Sequence, residues 1–76
     1  MRVLLFAGLA EACGERSLEV SETVTNVAEL RAALERLRPD LPWKGVRIAV
    51  DQEYAKDDRV LQGQEEIALI PPVSGG

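Results

Sequence analysis

The sequence predicts an α+β fold in two layers, a mixed β-sheet with one main helix packed on one face. Three observations carry this. The two most apolar runs, VLLFA at residues 3–7 and EIALI at residues 66–70, stand at opposite ends of the chain. They read as strands that lie side by side at the centre of the sheet. Only one segment, opening at Asn26, repeats apolar residues at helical spacing over several turns. The other segments are short, and turn residues divide them.

Taken in order, residues 3–7 form a continuous apolar run, expected as a strand buried on both faces. Residues 8–14 are a compact connection with room for one helical turn, closed by Gly14-Glu15. SLEVS at 17–21 alternates strictly, as a strand with one wet face does. Asn26 with Glu29 three residues on is a capping-box arrangement. Val27, Leu30, Leu34 and Leu37 follow as one stripe, with Glu29, Arg31, Glu35, Arg36 and Arg38 opposite. Pro39 ends the helix, because the residue before a proline avoids helical dihedrals. Residues 42–45 are loop, 46–50 strand, Asp51-Gln52 a turn, and 53–55 a short return strand. Val60-Leu61 is an apolar anchor, residues 62–64 turn, and Pro71-Pro72 stops the last strand for want of N–H donors. Strand, strand, helix, strand, short strand, strand is the layout of a ubiquitin-like β-grasp. The expected division is a β-grasp domain over residues 1–70 and an extended tail over 71–76.

Composition limits what such a domain does. With 76 residues there is room for one core only. The chain has no histidine, so neither a Ser-His-Asp nor a Cys-His arrangement is available, and no metal site is expected. A single cysteine, Cys13, excludes an internal disulfide and reads as a small buried hydrophobe. A net charge of −4 argues against nucleic-acid binding and for partners with basic surfaces. No apolar run reaches the length of a membrane span, and Glu11 spoils a signal-peptide reading of the first residues, so a cytoplasmic protein is expected. Asp57-Asp58 and Glu65-Glu66 read as solvated loop and strand edge, not as a catalytic pair.

One helix covers only one face of a sheet. The central strands carry apolar residues for both, so part of the second face is expected to be bare and to meet a partner. Leu4, Phe6, Ile67 and Leu69, with Leu5 and Ile70, are the candidates.

The tail carries the chemistry. Pro71-Pro72 is stiff and extended. Six extended residues reach up to roughly 20 Å. Val73 and Ser74 offer side chains to a groove, whereas Gly75-Gly76 passes through a channel too narrow for any other residue. A carboxylate on Gly76 has no Cβ beside it. These features describe a substrate arm made for another protein's active site, and a frayed end does not require them.

The ending PPVSGG, the opening VLLFA with Glu11 and Gly14, the Val27-x-x-Leu30 helix start and the Ala49-Val50-Asp51-Gln52 hairpin together resemble the MoaD-type sulfur carriers, small subunits of molybdopterin synthase. The resemblance spans essentially the whole chain. It departs at Ala10, where the family usually has Arg, and at Gln62-Gly63-Gln64-Glu65-Glu66, where the glycine is displaced. It implies a protein that is no enzyme alone and binds no cofactor stably. An E1-like activating enzyme of MoeB type spends ATP to adenylate Gly76, and a sulfur donor then converts it to a thiocarboxylate. The tail, from Pro71 through Gly75, enters a MoaE-type large subunit that supplies the catalytic residues. Sulfur passes there to cyclic pyranopterin monophosphate to build the molybdopterin dithiolene, in a heterotetramer of two small and two large subunits. Three alternatives stay open: a sulfur carrier for thiamine or cysteine biosynthesis, a ubiquitin-like modifier joined to lysines, and a plain binding module with an idle tail.

Overall fold

The computed structural model describes residues 1–72. Its elements, in chain order, are β1 (Arg2–Leu5), α1 (Ala7–Cys13), β2 (Ser17–Glu19), α2 (Val27–Leu37), β3 (Arg47–Val50), β4 (Glu53–Tyr54) and β5 (Ile67–Ile70). The strands form a five-stranded sheet in the order β2-β1-β5-β3-β4. The first and last strands do meet at the centre, and they run parallel, with Val3 opposite Ile67 and Leu5 opposite Leu69. The other neighbours are antiparallel, so the sheet is mixed. This is the expected β-grasp.

α2 forms where the spacing placed it. Asn26 caps it, its Oδ1 accepting from the Glu29 N–H at 2.8 Å. The reciprocal half of the capping box is shifted by one residue. The Glu29 carboxylate accepts from the N–H and the hydroxyl of Thr25, at 2.8 and 2.9 Å. Those bonds hold the Glu29 carboxyl below its ordinary value, the backbone donor first. The buried stripe is Val27, Leu30, Ala33 and Leu34. Leu37, expected to complete it, is about half exposed.

Two local expectations are corrected. The first strand stops at Leu5, and its neighbour Leu4 is half-buried, so it is not buried on both faces. The chain then turns at Phe6 and Ala7, whose φ of 51° lies in the left-handed region. The connection that follows is a helix of seven residues, longer than the single turn expected. Leu9 anchors it in the core, and Gly14 ends it at φ 80°, donating its N–H to the Ala10 carbonyl.

The core lies between α2 and one face of the sheet. Val3, Leu5, Leu18, Ile48, Val50, Ile67 and Leu69 meet Val27, Leu30 and Leu34 there. No polar or charged residue is buried among the described residues, so burial stabilises this core without unpaired groups to offset it.

Candidate functional site

Period-two alternation sorts each strand into a core face and an open face. With Val3 and Leu5 inward, Leu4 points the other way, beside Ala68, its partner in the register. Ala68 faces Ala49, Ile70 faces Arg47, and Ala49 faces Tyr54. The open face therefore carries Leu4, Ala68, Ile70, Ala49 and Tyr54, with Phe6 at its edge. Phe6 is 48% and Tyr54 57% exposed, unusual values for side chains of this size in a small domain. Phe6 stands between two shallow depressions. One, of about 360 Å³, is lined by Phe6, Ala49, Tyr54, Ala68 and Ile70. The other, of about 450 Å³, is lined by Leu4, Phe6, Ala10 and two arginines.

This placement corrects the interface expected from the sequence. Leu4 and Phe6 lie on the open face. Ile67 and Leu69 are fully buried under the helix, and so is Leu5 nearly so, because they share the parity of Val3. Ile70, also expected, lies on the open face, and Ala68, not named from the sequence, joins it. The bordering charges differ from the whole-chain balance as well. Arg2 and Arg16 line one depression, and Arg47 lies over the Tyr54 ring at 3.9 Å from its centroid. The face is apolar, with Arg2, Arg16 and Arg47 at its rim and Glu66 beside the first depression.

The face runs on to the tail. Ile70 ends β5, Pro71 is half-buried and Pro72 is exposed. Val73, Ser74, Gly75 and Gly76, the rest of the expected arm, lie outside the described residues.

No group of His, Cys, Asp and Glu among the described residues is placed to hold a metal ion. Glu65 closes its turn, its carboxylate accepting from the N–H groups of Gln62 at 2.7 Å and Gly63 at 2.9 Å. Those donors, Gln62 first, keep the Glu65 carboxyl low. The Glu66 N–H donates to Asp51 Oδ1 at 2.9 Å and so helps fix the β3–β4 turn. Cys13 is half-buried, not the fully buried small hydrophobe expected. Arg38, 25 residues away in the chain, donates from Nη1 to its sulfur at 3.1 Å. The same guanidinium grips Asp40 through two bonds of 2.9 and 2.8 Å. Asp40 raises the Arg38 pKa further, and Arg38 lowers that of Asp40. No helix among the described residues is long and apolar enough to cross a membrane.

A family profile described as the ThiS family matches residues 3–76, which includes the whole tail. The chain belongs to the ThiS family. Among the curated relatives of this ThiS-family chain is the molybdopterin synthase sulfur carrier subunit of Homo sapiens. It is 40% identical over 86 residues, a match covering 100% of this chain and 93% of the human protein. The subunit of the same name from Caenorhabditis briggsae is 38% identical, with 100% and 96% covered. Among solved structures, SAMP1 from Haloferax volcanii matches with a TM-score of 0.79 at 29% identity, covering 99% of this chain and 97% of that one. The small archaeal modifier protein 1 of Methanosarcina acetivorans matches with a TM-score of 0.79 at 25% identity, covering 99% and 94%.

Proposed function

We propose that this ThiS-family chain is the sulfur carrier of a molybdopterin synthase. The observation that supports this most is the likeness to curated molybdopterin synthase sulfur carrier subunits over the whole chain, at 40% identity in the human case. The chemistry belongs to the carboxylate of Gly76. A carboxylate is a poor electrophile. Attack on ATP by an E1-like activating enzyme's bound substrate, the Gly76 carboxylate, gives an acyl-adenylate and releases pyrophosphate. A sulfur donor then displaces AMP and leaves a thiocarboxylate. That group is stable in water yet nucleophilic at sulfur. Held on a protein arm, it is delivered in one orientation to a buried site. The acceptor is cyclic pyranopterin monophosphate on a large subunit, and two deliveries complete the dithiolene.

In this reading each part of the molecule has a task. The open face around Leu4, Phe6, Ala68 and Ile70 seats the carrier on the large subunit and on the activating enzyme. Pro71 and Pro72 launch the arm. The chain is no enzyme alone, since the residues that act on the pterin belong to the large subunit, two copies of which pair with two carriers. The reactions take place in the cytoplasm, where Cys13 stays reduced.

Reconstitution tests this. Thiocarboxylated chain, large subunit and pterin precursor are expected to yield molybdopterin, and the chain lacking Gly76 is expected to yield none. Pterin conversion that proceeds equally well without Gly76 would end the proposal. A second reading, a ubiquitin-like modifier, draws on the likeness to the small archaeal modifier proteins. It also begins with Gly76 adenylation, and it requires Gly76 in isopeptide linkage to lysines of other proteins.

A further inference from the structure

Three glycines among the described residues have left-handed backbones: Gly14 at φ 80°, Gly45 at 79° and Gly63 at 105°. Two of them face open space. A Cβ built on Gly14 or Gly63 would meet nothing within 4 Å. Gly45 is different. A Cβ there would lie 3.2 Å from Pro72 Cβ and 3.3 Å from Pro72 Cγ, and its three nearest atoms all belong to Pro72. The left-handed turn explains why a glycine suits the position. It does not explain why the missing side chain faces the second proline of the tail.

The register does. In the β3–β5 pair Arg47 stands opposite Ile70. Two residues further along each strand bring Gly45 opposite Pro72. Proline has no N–H to extend the ladder, so packing must hold the chain at this point. The packing surface is firmly built. Val46 donates its N–H to the Trp43 carbonyl at 3.0 Å, closing the turn that contains Gly45. Trp43 donates its indole N–H to the Arg38 carbonyl at 2.7 Å, and Arg31 donates to the Val46 carbonyl at 2.9 Å. Leu41 is buried beneath the loop. A tied loop thus presents one gap in its row of side chains, and Pro72 lies against it.

We infer that Gly45 is a positioning residue: its bare backbone is a notch that seats Pro72 and sets the direction in which the reactive arm leaves the domain. The inference rests on the carrier reading of the arm. At 3.2–3.3 Å, a side chain on Gly45 forces Pro72 to give by a few tenths of an ångström. Four further residues, at most ~14 Å when extended, separate Pro72 from Gly76, so the seat at Pro72 sets where the arm starts. Misplacement of a reacting group by about 1 Å can cost on the order of a hundredfold in rate.

Asn tolerates the left-handed region better than other non-glycine residues, so Gly45→Asn keeps the turn while adding a Cβ. Gly14→Asn places the same residue at the same φ in open space and serves as its control. In wild-type protein, nuclear Overhauser contacts between the Gly45 α-protons and the Pro72 ring protons are expected. They read the seat without any partner. Adenylation by a MoeB-type enzyme with ATP then reads its consequence. Gly45→Asn is expected to lose at least about tenfold in kcat/KM, and Gly14→Asn to match wild type. In a Pro72→Gly background, which removes the atoms the new Cβ would meet, Gly45→Asn is expected to add no further loss. Absent Overhauser contacts would overturn the inference. So would equal kinetics for the two asparagine variants, or the same Gly45→Asn loss in both backgrounds. If wild-type protein is not adenylated at all, the carrier reading fails, and the Overhauser contacts still decide the seat.

Discussion

Asp51 and Gln52 hold φ values of 51° and 71°, a pair of left-handed residues joining β3 to β4. Such a turn suits the twist of a two-stranded hairpin, and its favoured sequence is Asn-Gly or Asp-Gly. The left-handed region costs a non-glycine residue roughly 1–2 kcal/mol. Gln52→Gly recovers that strain but loosens the unfolded chain, which takes back about 0.4–1 kcal/mol. A net gain of about 0.5 kcal/mol is expected, read as a higher urea midpoint, while Gln52→Val is expected to lower it. The turn was legible because polar Asp51-Gln52 ends the apolar run Ile48-Ala49-Val50. The φ of 51° at Ala7 was not, because nothing in an unbroken VLLFAGLA run marks where a strand gives way. The carboxylates of Glu29 and Glu65 belong to the same scale. Both are held below their ordinary values in the folded chain. Their contribution is therefore present above the unfolded carboxylate pKa and is lost as pH falls through the folded one. Glu29 is exposed and Glu65 only partly buried, so the effect is small. Urea midpoints followed from neutral pH down to roughly pH 3 are expected to fall less steeply in Glu65→Gln than in wild type.

Among the elements, α2 was the most legible, because cap, stripe and proline stop agreed on one answer. Leu34 is fully buried at its centre, against the sheet. Leu34→Ala is expected to cost about 2–5 kcal/mol by equilibrium urea unfolding. That is a large part of the stability of a small domain, so a loss well under 1 kcal/mol would contradict the packing described. Asn26→Ala is expected to cost about 1 kcal/mol through the lost cap. α1 was largely hidden. Its seven residues bury only Leu9, so no apolar period of 3.6 could develop, and its cap Phe6 makes no side-chain capping bond to announce it. The contact between Arg38 and Cys13 was hidden for a different reason. It joins α1 to the end of α2, and sequence distance says nothing about that meeting.

For the whole molecule, the inference that one helix leaves a bare sheet face was sound, but Leu5, Ile67 and Leu69, half of the residues named for it, point into the core. Apolar character alone does not say which way a side chain points. Parity does, and parity follows only from the register that pairs Val3 with Ile67 and Leu5 with Leu69. Substitutions on the two faces should therefore behave oppositely. Phe6→Ser is expected to leave the urea midpoint nearly unchanged and to weaken binding to the large subunit at least about tenfold, since exposed aromatics are frequent interface anchors. Ile67→Ala is expected to cost about 2–5 kcal/mol of stability. Calorimetric titration beside denaturant unfolding separates the two effects.

The tail was legible as composition, two prolines and then two glycines, and its meaning depends on what becomes of Gly76. The most direct measurement is an intact-mass spectrum of the protein after incubation with a MoeB-type activating enzyme, ATP and a sulfur source. The sulfur-carrier account expects a gain equal to exchanging one oxygen for one sulfur, absent when Gly76 is deleted. An unchanged mass, with an enzyme that demonstrably activates another carrier, would contradict it.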